Sequence, residues 1–300
     1  MPEIDEDVLI EVPPSLSTPP QETPASTFSD IVKDCLSEPR YRIKLYDRTS
    51  VEVRSALHEL REEVFPTPPV STIAPAEFAE RLQRYEQAVD RLLSLTILVA
   101  RWGTEEQQSV LERIVARLAN SIDVRAGGAA WLDLRWYPLT VLIYSGGIAS
   151  LSAQNYRSLA TLFATPVDDH ETGGVTRPVL VAAVKGLHHE EYMHRLFKLL
   201  PGHERNYVPK SEYLFKVVQP RLDDLLFLGS SYERLFDRFE VFQALAHADF
   251  MSRGKEYPNV WGPLGRYAWK HRRGLQSPFN DVVTEARVEM ARRKGTLVAG

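Results

Sequence analysis

The chain has 300 residues, 44% of them hydrophobic and 25% charged, with a net charge of −4 and one cysteine, Cys35. These values exclude a wholly disordered chain, a collagen and a coiled-coil rod, and a lone cysteine excludes a disulfide framework or a four-cysteine zinc site. A chain this long buries about 75% of its unfolded surface and needs no metal or disulfide to hold a core.

Charge is unevenly spread. Residues 1–32 hold seven acids and no Lys or Arg, whereas residues 251–300 hold ten Lys or Arg against four acids. Six prolines fall within residues 1–28. Proline removes backbone donors and favours extended chain, and few large apolar groups offset the entropy of ordering. The reading is a disordered acidic tail over residues 1–40. Within it Asp5–Val12 (DEDVLIEV) is either a short docking motif or part of a floppy tail. The acidic start lacks the basic residues and apolar run of a secretory signal, so a cytoplasmic protein is expected.

Folding is expected to begin near Arg42. Val53, Leu57, Leu60 and Val64 recur at helical spacing, and Phe65-Pro66-Thr67-Pro68-Pro69 stops that helix. A second helix starts at Pro75, carries Phe78, Leu82, Tyr85, Val89 and Leu92 on one stripe, and ends at Gly103, where a left-handed cap needs no Cβ. Thr104 and Gln107 form a capping box for a third, whose buried side is Leu111, Ile114, Val115 and Leu118. The fourth begins near Trp131 or Pro138 and runs to about Ser152. It is apolar nearly all round and is therefore expected at the centre of the fold. Trp136–Tyr156 is an uncharged run, but Pro138, Gly146, Gly147, Gln154 and Asn155 within it argue for a buried helix and turn rather than a membrane span.

Asn155–Ala164 reads as the next helix, closed by Thr165-Pro166, and Asp168–Thr176 as a polar loop. Pro178–Val184 is short enough to be strand or helix. Helices follow at about 188–200, 210–228 and 231–252, and Ser277-Pro278 opens a last one reaching about Lys294. No βαβ rhythm, glycine-rich nucleotide motif or phosphate loop is present. The fold class is all-α, an irregular helical bundle or a short α-solenoid-like array, with lobes over 41–165 and 166–300. Small residues Gly146, Gly147, Ala149 and Ala160 are expected to let the helices of Pro138–Ala164 approach closely.

The segment from Trp136 (WYPLTVLIYSGGIASL) through Asn155-Tyr-Arg-Ser-Leu-Ala-Thr-Leu162 resembles the helical C-terminal regions of some large bacterial proteins, as do Leu45–Arg61 and Phe78–Trp102. In those proteins a SIR2-like, nuclease-like or ATP-binding effector domain precedes the helices, and a role in phage defence is suspected. The resemblance implies an antiviral-defence sensor or scaffold whose effector is another chain. It carries over no catalytic residue, because the chemistry of those families sits in the effector.

Three clusters bear on chemistry. His188-His189-Glu190-Glu191-Tyr192-Met193-His194 nearly spells H-E-x-x-H, but Met193 stands at the second ligand position. Glu190 and His194 remain a candidate metal pair four residues apart, with Asp168, Asp169, His170 or His203 as a third ligand. The alternative is an exposed helix start. Asp223 and Asp224, with Arg221 and Arg234 nearby, read as surface ion pairs rather than as acid–base carboxylates. Trp261–Arg273 interleaves aromatics with cations. Arg266, Trp269, Lys270, Arg272 and Arg273 are candidates for phosphate contact and base stacking, or else the tryptophans plug the core while the cations stay wet. Trp269 as a core plug is the favoured form. Ser145 in its apolar helix and Cys35 beside Asp34 show no sign of nucleophilic activation.

The adopted reading is a non-catalytic helical interaction or sensor module with no cofactor and a protein partner or homo-oligomeric contact. The alternatives are a metal-dependent hydrolase or nuclease and a nucleic-acid-binding protein.

Overall fold

The computed structural model describes residues 27–69, 73–122, 126–169, 175–187, 190–253 and 262–270. Among these the chain is all-α apart from two three-residue strands. The Asp5–Val12 motif, His170, Trp261, Arg272, Arg273 and the helix expected after Ser277 lie outside the described residues.

Ordered structure starts earlier than the prolines suggest. Helix α1 spans Phe28–Ser37, inside the segment read as tail. Thr27 and Asp30 make a capping box: the Asp30 N–H donates to Thr27 Oγ1 and the Thr27 N–H to Asp30 Oδ2, each at 3.2 Å. Val32 and Cys35 are buried, and the Arg91 guanidinium lies 4.6 Å over the Phe28 ring. The tail therefore cannot extend to residue 40. Val32→Ala should lower stability by about 1–3 kcal/mol. Chemical denaturation checks this, and an unchanged midpoint would restore the longer tail.

Helix α2 (Arg42–Glu59) begins where expected. The long helix expected from Pro75 to Gly103 is two helices, α3 (Pro75–Ala88) and α4 (Asp90–Trp102), broken at Val89. The apolar stripe continues across the break because Val89 is itself buried. Gly103 is not a left-handed cap. Its φ of −63° is open to any residue, and glycine is required there because a Cβ would overlap the Val99 carbonyl. Thr104 and Gln107 form the expected capping box, the Thr104 N–H donating to Gln107 Oε1 at 2.9 Å. It introduces α5 (Gln108–Asn120), which buries Leu111, Ile114, Val115 and Leu118.

A short α6 (Ala129–Leu134) precedes α7 (Tyr137–Ser152). Every α7 residue from Tyr137 to Leu151 is buried. It packs on α3, α4 and α5, on α8 (Tyr156–Ala164), and on three later helices: α9 (Val179–Gly186), α11 (Pro209–Leu226) and α12 (Tyr232–Ser252). A solenoid repeat touches only its neighbours. The architecture is instead an irregular bundle around one central helix, and a continuous core runs from Val32 to Tyr267 across residue 165. Two adjacent glycines permit this crowding. Gly146 faces Thr96 and Leu162, whose methyls would lie 3.0 and 2.9 Å from a Cβ. Gly147 faces Phe239, whose ring a Cβ would overlap. No helix of the described residues is long and apolar enough to cross a membrane.

Asn155 caps α8, accepting from the Ser158 N–H at 3.2 Å. The expected polar loop then begins and ends in an antiparallel pair, β1 (Pro166–Asp168) with β2 (Thr176–Pro178), Val167 opposite Arg177. Pro178–Val184 is resolved in favour of helix, as the start of α9. Helix α10 (Glu190–Lys198), α11 and α12 follow close to their expected limits, and a short α13 (Gly265–Lys270) closes the described chain.

Candidate functional site

Six helices and one loop line a half-open cavity of about 480 Å³. Helix α7 contributes Ile143 and Tyr144, α9 contributes Leu180 and Ala183, and α10 contributes Met193 and His194. The first turn of α11 adds Pro209, Lys210 and Ser211, α12 adds Gln243, and Gly262–Gly265 with Ala268 form a wall. The lining is mainly apolar with a few polar groups, and its volume falls in the range of small-molecule sites, about 300–1,000 Å³.

A buried polar network fixes that wall. Glu240 of α12 is fully buried, and Ser211 Oγ donates to its Oε1. The Tyr267 N–H donates to Oε2 at 3.0 Å, and the Arg266 N–H to Ser211 Oγ at 2.9 Å. Gly265 has φ +53°, and a Cβ there would overlap the Glu240 carboxyl, so glycine satisfies both the turn and the close approach. Burial pushes the Glu240 carboxyl up to about 8, with Asp237 adding to the rise while its two donors and Arg266 oppose it. An acid with a raised folded pKa keeps its proton while the unfolded chain loses it. Glu240's contribution to stability is therefore full below its ordinary value of 4.5 and falls as pH rises toward 8. Glu240→Gln keeps an oxygen to accept from the Tyr267 N–H and sets its amide against Ser211 Oγ, a hydroxyl that can accept as well as donate. It should fold and flatten the stability profile between pH 5 and 8, read by denaturation at each pH. A slope identical to wild type would show that Glu240 does not titrate there.

Residues 262–270, the described part of the basic aromatic segment, form this wall, and Arg266, Trp269 and Lys270 are not among the residues lining the cavity. Arg266 is only 7% exposed. Its guanidinium pairs with Glu212 at 3.4 Å, Glu233 at 3.1 Å and Asp237 at 3.2 Å, and lies 3.9 Å over the Phe215 ring. Lys270 Nζ reaches Glu233 at 2.6 Å and Asp237 at 3.4 Å. Trp269 is not a core plug. It is 39% exposed and stacks on Tyr207 with ring centroids 3.6 Å apart. Of the two described aromatics of the segment, Tyr267 is the one that enters the core.

No family model matches this chain. No curated protein or solved structure matches it either. The functional reading therefore rests on the geometry.

The described metal candidates do not converge on one site. His194 lines the cavity, and burial, with Lys198 nearby, holds its imidazole below the usual value, which favours the neutral ring. The side chain of Glu190 lies outside the described residues. Asp169 pairs with Arg177 on the strand pair, and His203 is buried with Nδ1 2.9 Å from Asn206 Nδ2. No group of three or more His, Cys, Asp or Glu among the described residues is placed to hold a metal ion. Asp224 lies 3.8 Å from Arg221, which also pairs with Asp90, while Asp223 accepts from the Gly229 N–H at 3.0 Å. Ser145 and Cys35 are buried.

Sequence reasoning missed Lys210 and Glu240. Lys210 follows a helix-starting proline and looked like an ordinary first-turn residue. The one available signal was its charge, since a cation opposes the positive end of a helix dipole.

Proposed function

We propose that the chain is a non-catalytic helical sensor module. Its cavity takes up a small ligand with an apolar body, and the α13 wall relays occupancy to a protein partner. The cavity itself carries this reading: its wall from Gly262 to Ala268 is short, is tied to α11 and α12 by a few buried polar contacts, and continues into the half-exposed Trp269. Catalysis by nucleophile and base needs both within hydrogen-bond reach and free to act. Ser211 is the hydroxyl nearest such a role, and it is engaged by Glu240 and the Arg266 N–H. The nucleic-acid reading loses support, because Arg266 and Lys270 already face three carboxylates that a phosphate would have to displace. The resemblance to helical regions joined to effector domains fits a relay of this kind.

A neutral apolar dye, N-phenyl-1-naphthylamine, tests the reading. It should bind with one saturable site per chain and gain fluorescence. Val184→Phe, which fills the cavity from α9, should abolish binding without unfolding the protein. Amide exchange in α13 should slow when the dye is bound. Absence of a saturable site, or binding unaffected by Val184→Phe, would sink the proposal.

A further inference from the structure

Lys210 breaks two local rules at once. It places a cation in the first turn of α11, where the helix dipole disfavours it. It also turns an ammonium toward a mainly apolar cavity. Its Nζ donates to the Leu187 carbonyl at 3.3 Å, and no carboxylate among the described residues lies within ion-pair distance. Burial pulls the Lys210 ammonium down to about 8 and Glu240 opposes that fall, but the Glu240 carboxyl is engaged by Ser211 and the Tyr267 N–H, and burial favours its protonated form. Lys210 is part-buried, and a charge partly withdrawn from water with no described carboxylate in reach is costly; violations of local preference concentrate at functional sites.

We propose that the missing counter-charge comes with the ligand: the cavity takes an amphipathic monoanion whose carboxylate sits on Lys210 Nζ and whose apolar body lies against Ile143, Leu180, Ala183, Leu187 and Leu264. This rests on the ligand-binding reading above and names its ligand class. A single cationic side chain in the lining calls for a single negative charge. Among the lining residues Lys210 is the one lysine, and no arginine joins it to bind a phosphate dianion through a planar fork. His194 and Gln243 on the same lining offer neutral hydrogen-bonding groups. The α11 dipole, unfavourable to Lys210 alone, adds to the attraction for the carboxylate.

Dodecanoate and its uncharged counterpart dodecanol separate this proposal from the reading beneath it. Each is titrated against the dye-loaded full chain and displacement is followed. Dodecanoate should displace the dye at least tenfold more tightly than dodecanol. Lys210→Met should erase that preference while leaving dodecanol and dye binding intact, which also shows the variant is folded. Lys210→Arg should retain most of it. Equal affinities in wild type, or a preference that survives Lys210→Met, would overturn the anion assignment and leave the apolar cavity standing. A wild-type chain that binds no dye at all overturns both.

Discussion

Replacing Arg266 with methionine should cost about 3–5 kcal/mol of folding stability, the largest effect expected from any charged residue here. The substitution keeps most of the side-chain volume over Phe215, so the loss isolates the charge. What remains is Asp237, buried at 6% exposure, with Glu233 and Glu212 close by. Removing one partner of a buried pair leaves an uncompensated charge, which is why breaking it costs more than making it contributes. Lys270 compensates in part, since its Nζ already reaches Asp237 and Glu233. In a thermal melt the loss corresponds to roughly 10 °C. Asp237→Asn in the Arg266→Met background should recover part of it, because the orphaned acid is then gone. A single mutant within about 0.5 kcal/mol of wild type would show that the cluster is solvated and does not hold the wall. Because α13 closes the cavity, the same variant should also weaken dye binding, which a purely peripheral ion cluster would leave unchanged.

That cluster also shows what the sequence could reveal and what it could not. Helical stripes were legible: Leu111, Ile114, Val115 and Leu118 are buried as their spacing required, and α7 is central because it is apolar on every face. The capping box at Thr104 was legible because three residues suffice to specify it. The box at Thr27 was equally local, but proline density upstream obscured it. The break at Val89 had no signal, since neither proline nor glycine marks it and the 3.6-residue period passes through it. The strand pair was too short for a period of two to be read.

The site was illegible for a different reason. A cavity gathers one or two residues from each of several helices, and no spacing rule links Ile143, Leu180, His194, Lys210 and Gln243. In the basic segment, the cations were visible but their partners were not. Glu212, Glu233 and Asp237 belong to α11 and α12, and only the packing of α13 against those helices brings them together. A cation-rich stretch read alone suggests phosphate, whereas in the folded chain its Arg266 is a structural bolt.

Phe239→Ala should remove about 3–5 kcal/mol, through a contact that a pair of glycine variants can locate. The Phe239 ring is fully buried between α12 and α7, with centroids 4.7 Å from Tyr144 and 5.8 Å from Phe163. It occupies the space left by Gly147. In an exposed helix interior, Gly→Ala is worth up to about 1 kcal/mol in the favourable direction. At Gly147 the new methyl would overlap the Phe239 ring, and overpacking a dense core costs about 1–3 kcal/mol. Steric cost therefore outweighs helix propensity, and Gly147→Ala should destabilise. Gly146→Ala meets the flexible end of Leu162 at 2.9 Å and, at 3.0 Å, the methyl of Thr96, whose hydroxyl is held by the Leu92 carbonyl. It should cost less than Gly147→Ala, whose methyl overlaps a ring wedged between helices. The decisive measurement is the double mutant Gly147→Ala with Phe239→Ala. The alanine at 147 then fills part of the cavity it previously opposed, so the double mutant should be more stable than Phe239→Ala alone. Additive losses would mean that the two residues do not share this space, and that α12 is held on the central helix by other contacts.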